Sequence, residues 1–173
     1  LVLNQEAEKG WFGFPGVRLS LVGDIEQWLV DMPALQVEDK LMATAKTARL
    51  AGDTAIPGPH ASDLQAVHLA SNTPAYLAST GQQKALLIAV VLAHARLQER
   101  RLGKSPLMLL DDVAAHLDAD RRSALFEAVG LLGGQCWYSG SDEQQFGDLR
   151  GKAQFVSVIP ASRSDQTPEF EVK

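Results

Sequence analysis

Leu107-Met108-Leu109-Leu110-Asp111-Asp112 is an unbroken apolar run closed by two carboxylates, and the fold turns on how it is read. Four apolar residues with no alternation suit a strand buried on both faces of a parallel sheet. In such sheets ligands bind beyond the carboxyl ends of the strands, which is where Asp111 and Asp112 fall. Packing gives no reason to set two charges side by side there. A plainer reading makes Asp111 the cap of a following helix and leaves Asp112 solvated, and the run alone keeps both open. Downstream the pattern gives a helix over about 120–132, a strand over 135–139, a shorter helix around 143–149 and a strand over 154–159. Strands alternating with helices point to the α/β class with a parallel sheet.

Upstream of the run, Ser79-Thr80-Gly81-Gln82-Gln83-Lys84 stands ahead of a long helix, 82–101, apolar from Ala85 to Leu92. Ser79 or Thr80 can cap that helix, and Gly81 lets backbone come close to a ligand. Free N–H groups and the positive end of the helix dipole make an anion site; an ordinary cap with no ligand is the competing reading. Further back the character differs. Val17, Leu19 and Leu21 alternate with Arg18 and Ser20 as a half-buried strand. Asp24 is placed to cap a helix that Pro33 ends, and a second helix, 36–50, carries Val37, Leu41, Ala45 and Ala48 on one stripe. Ile56-Pro57-Gly58-Pro59 is a connector, and 64–69 alternates as a short strand.

The two motifs together are more specific than either. A small-polar-Gly-Gln loop opening a helix, an apolar strand ending Asp-Asp, and then Leu117-Asp118 is the order of the ABC-type ATPases. Leu77-Ala78-Ser79-Thr80-Gly81-Gln82-Gln83-Lys84-Ala85-Leu86-Leu87 resembles the signature loop and helix of the RecF family. Leu109 to Asp118 resembles its Walker B strand and D-loop, and Gly58-Pro59-His60-Ala61-Ser62-Asp63-Leu64 resembles its Gly-Pro-His-Arg block. The likeness runs from about Phe14 to Val158. It implies the C-terminal half of an ABC-type P-loop ATPase: part of a helical arm lobe at 1–75, the signature helix and Walker B half at 76–160, and a polar tail at 161–173 in which Phe170 and Val172 could add an edge strand.

The resemblance also implies roles. Ser79, Thr80, Gly81 and Gln82 would bind the γ-phosphate of ATP held by the opposite subunit. Asp111 would hold Mg²⁺, Asp112 would polarise the attacking water where ABC enzymes usually carry Glu, and Asp118 would report across the dimer interface. Ala61 stands for the family's Arg, Gln82 for its usual Glu and His116 for a common acidic residue, while Ser139-Gly140-Ser141 falls where many relatives place a switch His. The implied function is ATP-driven homodimerisation on DNA, serving recombinational repair and RecA loading at gaps with RecR/RecO-type mediators. Two rivals stay open: another ABC-type subunit, against which the long interval from Gly81 to Asp111 argues, and a non-hydrolysing DNA-binding or regulatory module.

That second rival draws on what the 173 residues do not contain. No G-x-x-x-x-G-K-[ST] loop is present. Gly103-Lys104-Ser105 has Gln98 five places before its glycine and ends a helix instead of opening one. Without a Walker A strand the 154–159 strand loses its expected neighbour, which leaves open backbone edges. A start at Leu1 suggests a fragment. The net charge of −5 is not that of a general polyanion binder, so DNA would be met through a local patch or with other chains. Cys136 is alone and the four histidines have no metal-ligand spacing. No apolar stretch reaches the roughly 18–20 residues of a membrane span; a cytoplasmic protein without membrane contact is the expectation.

Overall fold

The alternation at Val17 does produce a strand. In the computed structural model, which describes residues 1–52, 54, 57–159 and 169–172, β1 (Val17–Val22) buries Val17 and Leu19 and exposes Arg18 and Ser20. It pairs antiparallel with β2 (Asp63–His68), from Val17↔His68 to Val22↔Asp63, and β3 (Thr73–Pro74) pairs with β2 on its other side. Between β1 and β2 the chain leaves the sheet as two helices, α2 (Asp24–Asp31) and α3 (Ala34–Ala51). Pro33, extended, caps α3, and Gly52 ends it in the left-handed conformation. Asp24 is not the cap expected of it. Gly23 holds that position, and Asp24 is the first helical residue, where its charge still favours the positive end of the dipole. Lys40 reaches over the Trp28 ring at 4.2 Å. Ile56 of the connector lies outside the described residues.

A single turn, α1 (Asn4–Ala7), docks on β1 through one side chain that imitates a strand neighbour. Asn4 Nδ2 donates to the Leu19 carbonyl at 2.9 Å, and the Leu19 N–H donates to Asn4 Oδ1 at 2.9 Å. The long helix is α4 (Thr80–Leu102), and it buries Ala85, Leu86, Ile88, Ala89, Leu92, Ala93 and Ala95. It packs against α1 and β1, and Arg100 from its last turn donates to the buried Glu6 of α1. Gly103 closes it at φ 67°, so the Gly-Lys-Ser triplet is a helix end. The chain divides into two units after this helix, Leu1–Ser105 and Pro106–Lys173.

In the second unit β4 (Met108–Leu110) pairs in parallel with β5 (Cys136–Tyr138), in the register Met108↔Cys136, Leu109↔Trp137, Leu110↔Tyr138. The crossover is α5 (Ala119–Leu131), which buries Leu125, Phe126, Ala128 and Val129. Phe126 meets Tyr138 edge to face at 5.1 Å and joins Ala114 and Phe146 in a small core. The expectation that this strand pair is covered on both faces is corrected. Leu109 is 71% exposed and its partner Trp137 55%, so among the described residues of this unit only the Met108–Leu110–Cys136–Tyr138 face is covered. The 143–149 segment is 3-10 with a kink at Phe146. The edge strand that Phe170 and Val172 could add does form. β7 (Glu169–Val172) pairs antiparallel with β6 (Val156–Ile159). Among the described strands β6 has no other partner, and among the described residues no helix is long and apolar enough to cross a membrane.

Candidate functional site

Parallel pairing sets the surroundings of the two acids. Since Leu110 is level with Tyr138, the residues just past the strand ends are brought together as well. The Ser139 N–H donates to the Leu110 carbonyl at 3.1 Å, and the Asp112 N–H reaches the Ser139 carbonyl at 3.2 Å and its Oγ at 3.3 Å. The Ser139 hydroxyl then donates to Asp111 Oδ1. Ser139 thus ties both acids to β5 and was singled out in the sequence only for not being histidine. The signal that could have found it is the register itself.

Asp112 has a left-handed backbone, φ 50°, which costs an L-residue about 1–2 kcal/mol and which Asp and Asn visit more readily than most. A 3-10 turn, Ala114–His116, follows, with Val113 at its capping position and no side-chain bond there. Neither Asp111 nor Asp112 caps a helix. Asp112 Oδ2 instead lies 3.5 Å from His116 Nε2, with both side chains about half exposed. The cap belongs to Asp118, whose Oδ1 accepts from the Arg121 N–H at 2.8 Å at the start of α5. Truncating such a cap costs typically about 1 kcal/mol, so Asp118 has a structural role whatever else it does.

Ser79 to Gln82 lie in the first unit, at the start of α4. Ser79 and Gln82 form a complete capping box: the Gln82 N–H donates to Ser79 Oγ at 3.3 Å and the Ser79 N–H to Gln82 Oε1 at 3.0 Å. Gln82 serves here as well as Glu would, because the box needs only the carbonyl oxygen. The amides of Thr80 and Gly81 and the Ser79 hydroxyl proton make no hydrogen bond among the described residues. They remain as donors at the positive end of a 23-residue helix.

Cys136 and Tyr138 lie on the covered face of β5, and burial raises both their pKa values, with Cys136 adding to the rise at Tyr138. Both groups are neutral when protonated, so the fold favours the protonated form. Their contribution to stability is complete below the unfolded values, 9.0 for the thiol and 10.0 for the phenol, and is lost as pH rises above them. Thermal unfolding followed from about pH 8 to about pH 11 should show the midpoint falling above about pH 9 to 10, and falling less steeply in Tyr138→Phe. Parallel curves for the two proteins would remove Tyr138 as a cause.

A parallel strand with paired aspartates at its carboxyl end, a helix crossover behind it, and a long helix opening on a capping box with free amides define the class. This is an α/β fold with a parallel strand pair. In sequence the chain is similar to a C-terminal portion of the RecF family. It is 43% identical over 148 residues to the DNA replication and repair protein RecF of Mesorhizobium japonicum, a match covering 84% of this chain and 39% of the relative. With RecF of Agrobacterium fabrum it shares 41% identity over 156 residues, covering 88% and 41%. Among solved structures it resembles the recombination mediator protein RecF-ATPrS in the RecFOR pathway, with TM-score 0.59 and 19% identity over 83% of this chain and 39% of that one. RecF-ATP of the same pathway gives TM-score 0.57 at 19% identity, over 81% and 38%. No protein-family model matches the chain. The chain spans about two fifths of the length of the curated relatives it matches.

Proposed function

We propose that this chain supplies the Walker B acids and the in-trans signature loop of a RecF-type ATPase that dimerises on DNA when it binds ATP. The observation that carries the reading is the pair Asp111 and Asp112 at the end of a parallel strand, each with its own partner and neither used as a cap. Mg²⁺ on a nucleotide is commonly held by one or two carboxylates together with phosphate oxygens and waters. A single acid therefore fits, and among the described residues no group of three or more potential ligands is gathered for a metal. Asp111 would hold the ion, Asp112 would orient the attacking water, and Asp118 would sense the opposite subunit. Ser79 and the amides of Thr80 and Gly81, with Gln82 fixing the cap, would receive the γ-phosphate of the partner's ATP. Bound Mg²⁺ would neutralise developing charge on the phosphates. The wider role is recombinational repair, with RecA loading at DNA gaps alongside RecR/RecO-type mediators.

The 173-residue chain by itself lacks the phosphate-gripping loop, so its MgATP affinity should be weaker than about 10 µM, close to −7 kcal/mol. The full-length protein that carries this sequence should bind MgATP, dimerise with it by light scattering, and be retained on gapped DNA. Tight ATP binding by the chain alone contradicts the division of the site. A full-length protein that stays monomeric with ATP and DNA contradicts the function.

A further inference from the structure

His116 is unassigned by the roles above, yet it is the side chain Asp112 faces. The Asp112 backbone is clamped by two bonds from its N–H to Ser139, while its carboxylate, unlike that of Asp111, receives nothing from Ser139. Among the described residues the one group within ion-pair reach of that carboxylate is His116 Nε2, at 3.5 Å. The ring does not hang on a loose loop. Its 3-10 turn begins at Ala114, which is 0% exposed and packed with Phe126 and Phe146, and is followed at once by Leu117, 8% exposed. Apolar anchors on both sides of His116 fix the backbone that carries its ring, and Nε2 lies 3.5 Å from an acid whose backbone is also fixed. Groups that orient an acting side chain in this way work best from such pinned elements.

We propose that His116 is the positioning residue of Asp112: with a proton on Nε2 it holds the carboxylate in the orientation from which Asp112 acts on the attacking water. Ser139 does the corresponding work for Asp111, so each acid has its own orienting donor. This rests on the reading of Asp112 as the hydrolytic acid. Loss of such an orienting partner costs roughly tenfold or more in turnover.

The test uses the full-length protein, with single-turnover ATP hydrolysis and MgATP affinity measured for His116→Ala, His116→Leu, His116→Gln, Asp112→Asn and the Asp112→Asn/His116→Ala pair. Gln carries an N–H donor near the position of Nε2; Leu fills the space without one. Ala and Leu should lower the rate roughly tenfold with affinity unchanged, Gln should restore most of it, and the double variant should be no slower than Asp112→Asn. If Gln is no better than Leu, or if His116→Ala hydrolyses at the parental rate while Asp112→Asn does not, the proposal is overturned and the reading of Asp112 stands. If Asp112→Asn itself is unimpaired, that reading fails and takes the proposal with it. Should Ala not fold, the comparison of Leu with Gln still decides.

Discussion

Asp112→Asn in the full-length protein is expected to slow ATP hydrolysis by on the order of 10² to 10⁴, the usual worth of a general base, while MgATP affinity is unchanged. Asn is the right replacement for a structural reason: it tolerates the φ of 50° at this position about as well as Asp does. The backbone clamp to Ser139 therefore survives, and only the charge is lost. The variant should accumulate as an ATP-bound dimer that stays on DNA. Asp111→Asn should behave differently. Its side-chain amide oxygen could still accept from the Ser139 hydroxyl that now reaches Asp111, so the local geometry is kept, but the charge that would hold Mg²⁺ is gone. Nucleotide affinity and turnover should then fall together. Affinity and single-turnover rate measured for each variant separate the two roles. Asp112→Asn hydrolysing at the parental rate, or two variants that are merely less stable, would show that the acids are not divided in this way.

The second large effect is expected at Ser79. Ser79→Arg in the full-length protein should abolish ATP-driven dimerisation while ATP binding by the monomer is spared, because the loop serves the partner's nucleotide. Ser79→Arg also breaks the capping box, so a second variant is needed. Asp is as good an N-cap as Ser, so Ser79→Asp keeps the helix start but sets a negative charge where the γ-phosphate would arrive. Loss of the dimer in both variants, with the melting temperature of Ser79→Asp unchanged, assigns the effect to the ligand. Light scattering that finds Ser79→Asp dimerising normally with ATP would make the loop an ordinary helix cap.

The local chemistry of both motifs was legible in the sequence. The Ser79–Gln82 box, the helix that ends at Gly103, the strand ending at Leu110 and the alternation from Val17 depend on spacings of a few residues, and such patterns survive into the fold because they are satisfied within one element. The one-turn α1 was not legible. Four residues, Asn4–Ala7, are too few to show a period, and their place depends on the bonds between Asn4 and Leu19. Asp24 lies one residue past the cap position expected of it, because Gly23 is also tolerated there. The edge strand in the polar tail was legible from Phe170 and Val172, while its partner, β6, is set by the fold.

By itself, then, the sequence determined the class of fold, the family resemblance, and which acids and which helix start to consider. Apolar period, capping residues and motif order all act over short stretches of chain. Tertiary structure alone decided that Ser139 holds both acids, that Asp112 takes a left-handed backbone facing His116, and that Leu109 and Trp137 share an uncovered face. Those facts follow from the parallel register of β4 and β5, strands separated by a whole helix. No local pattern specifies which residue of one strand lies level with which residue of the other.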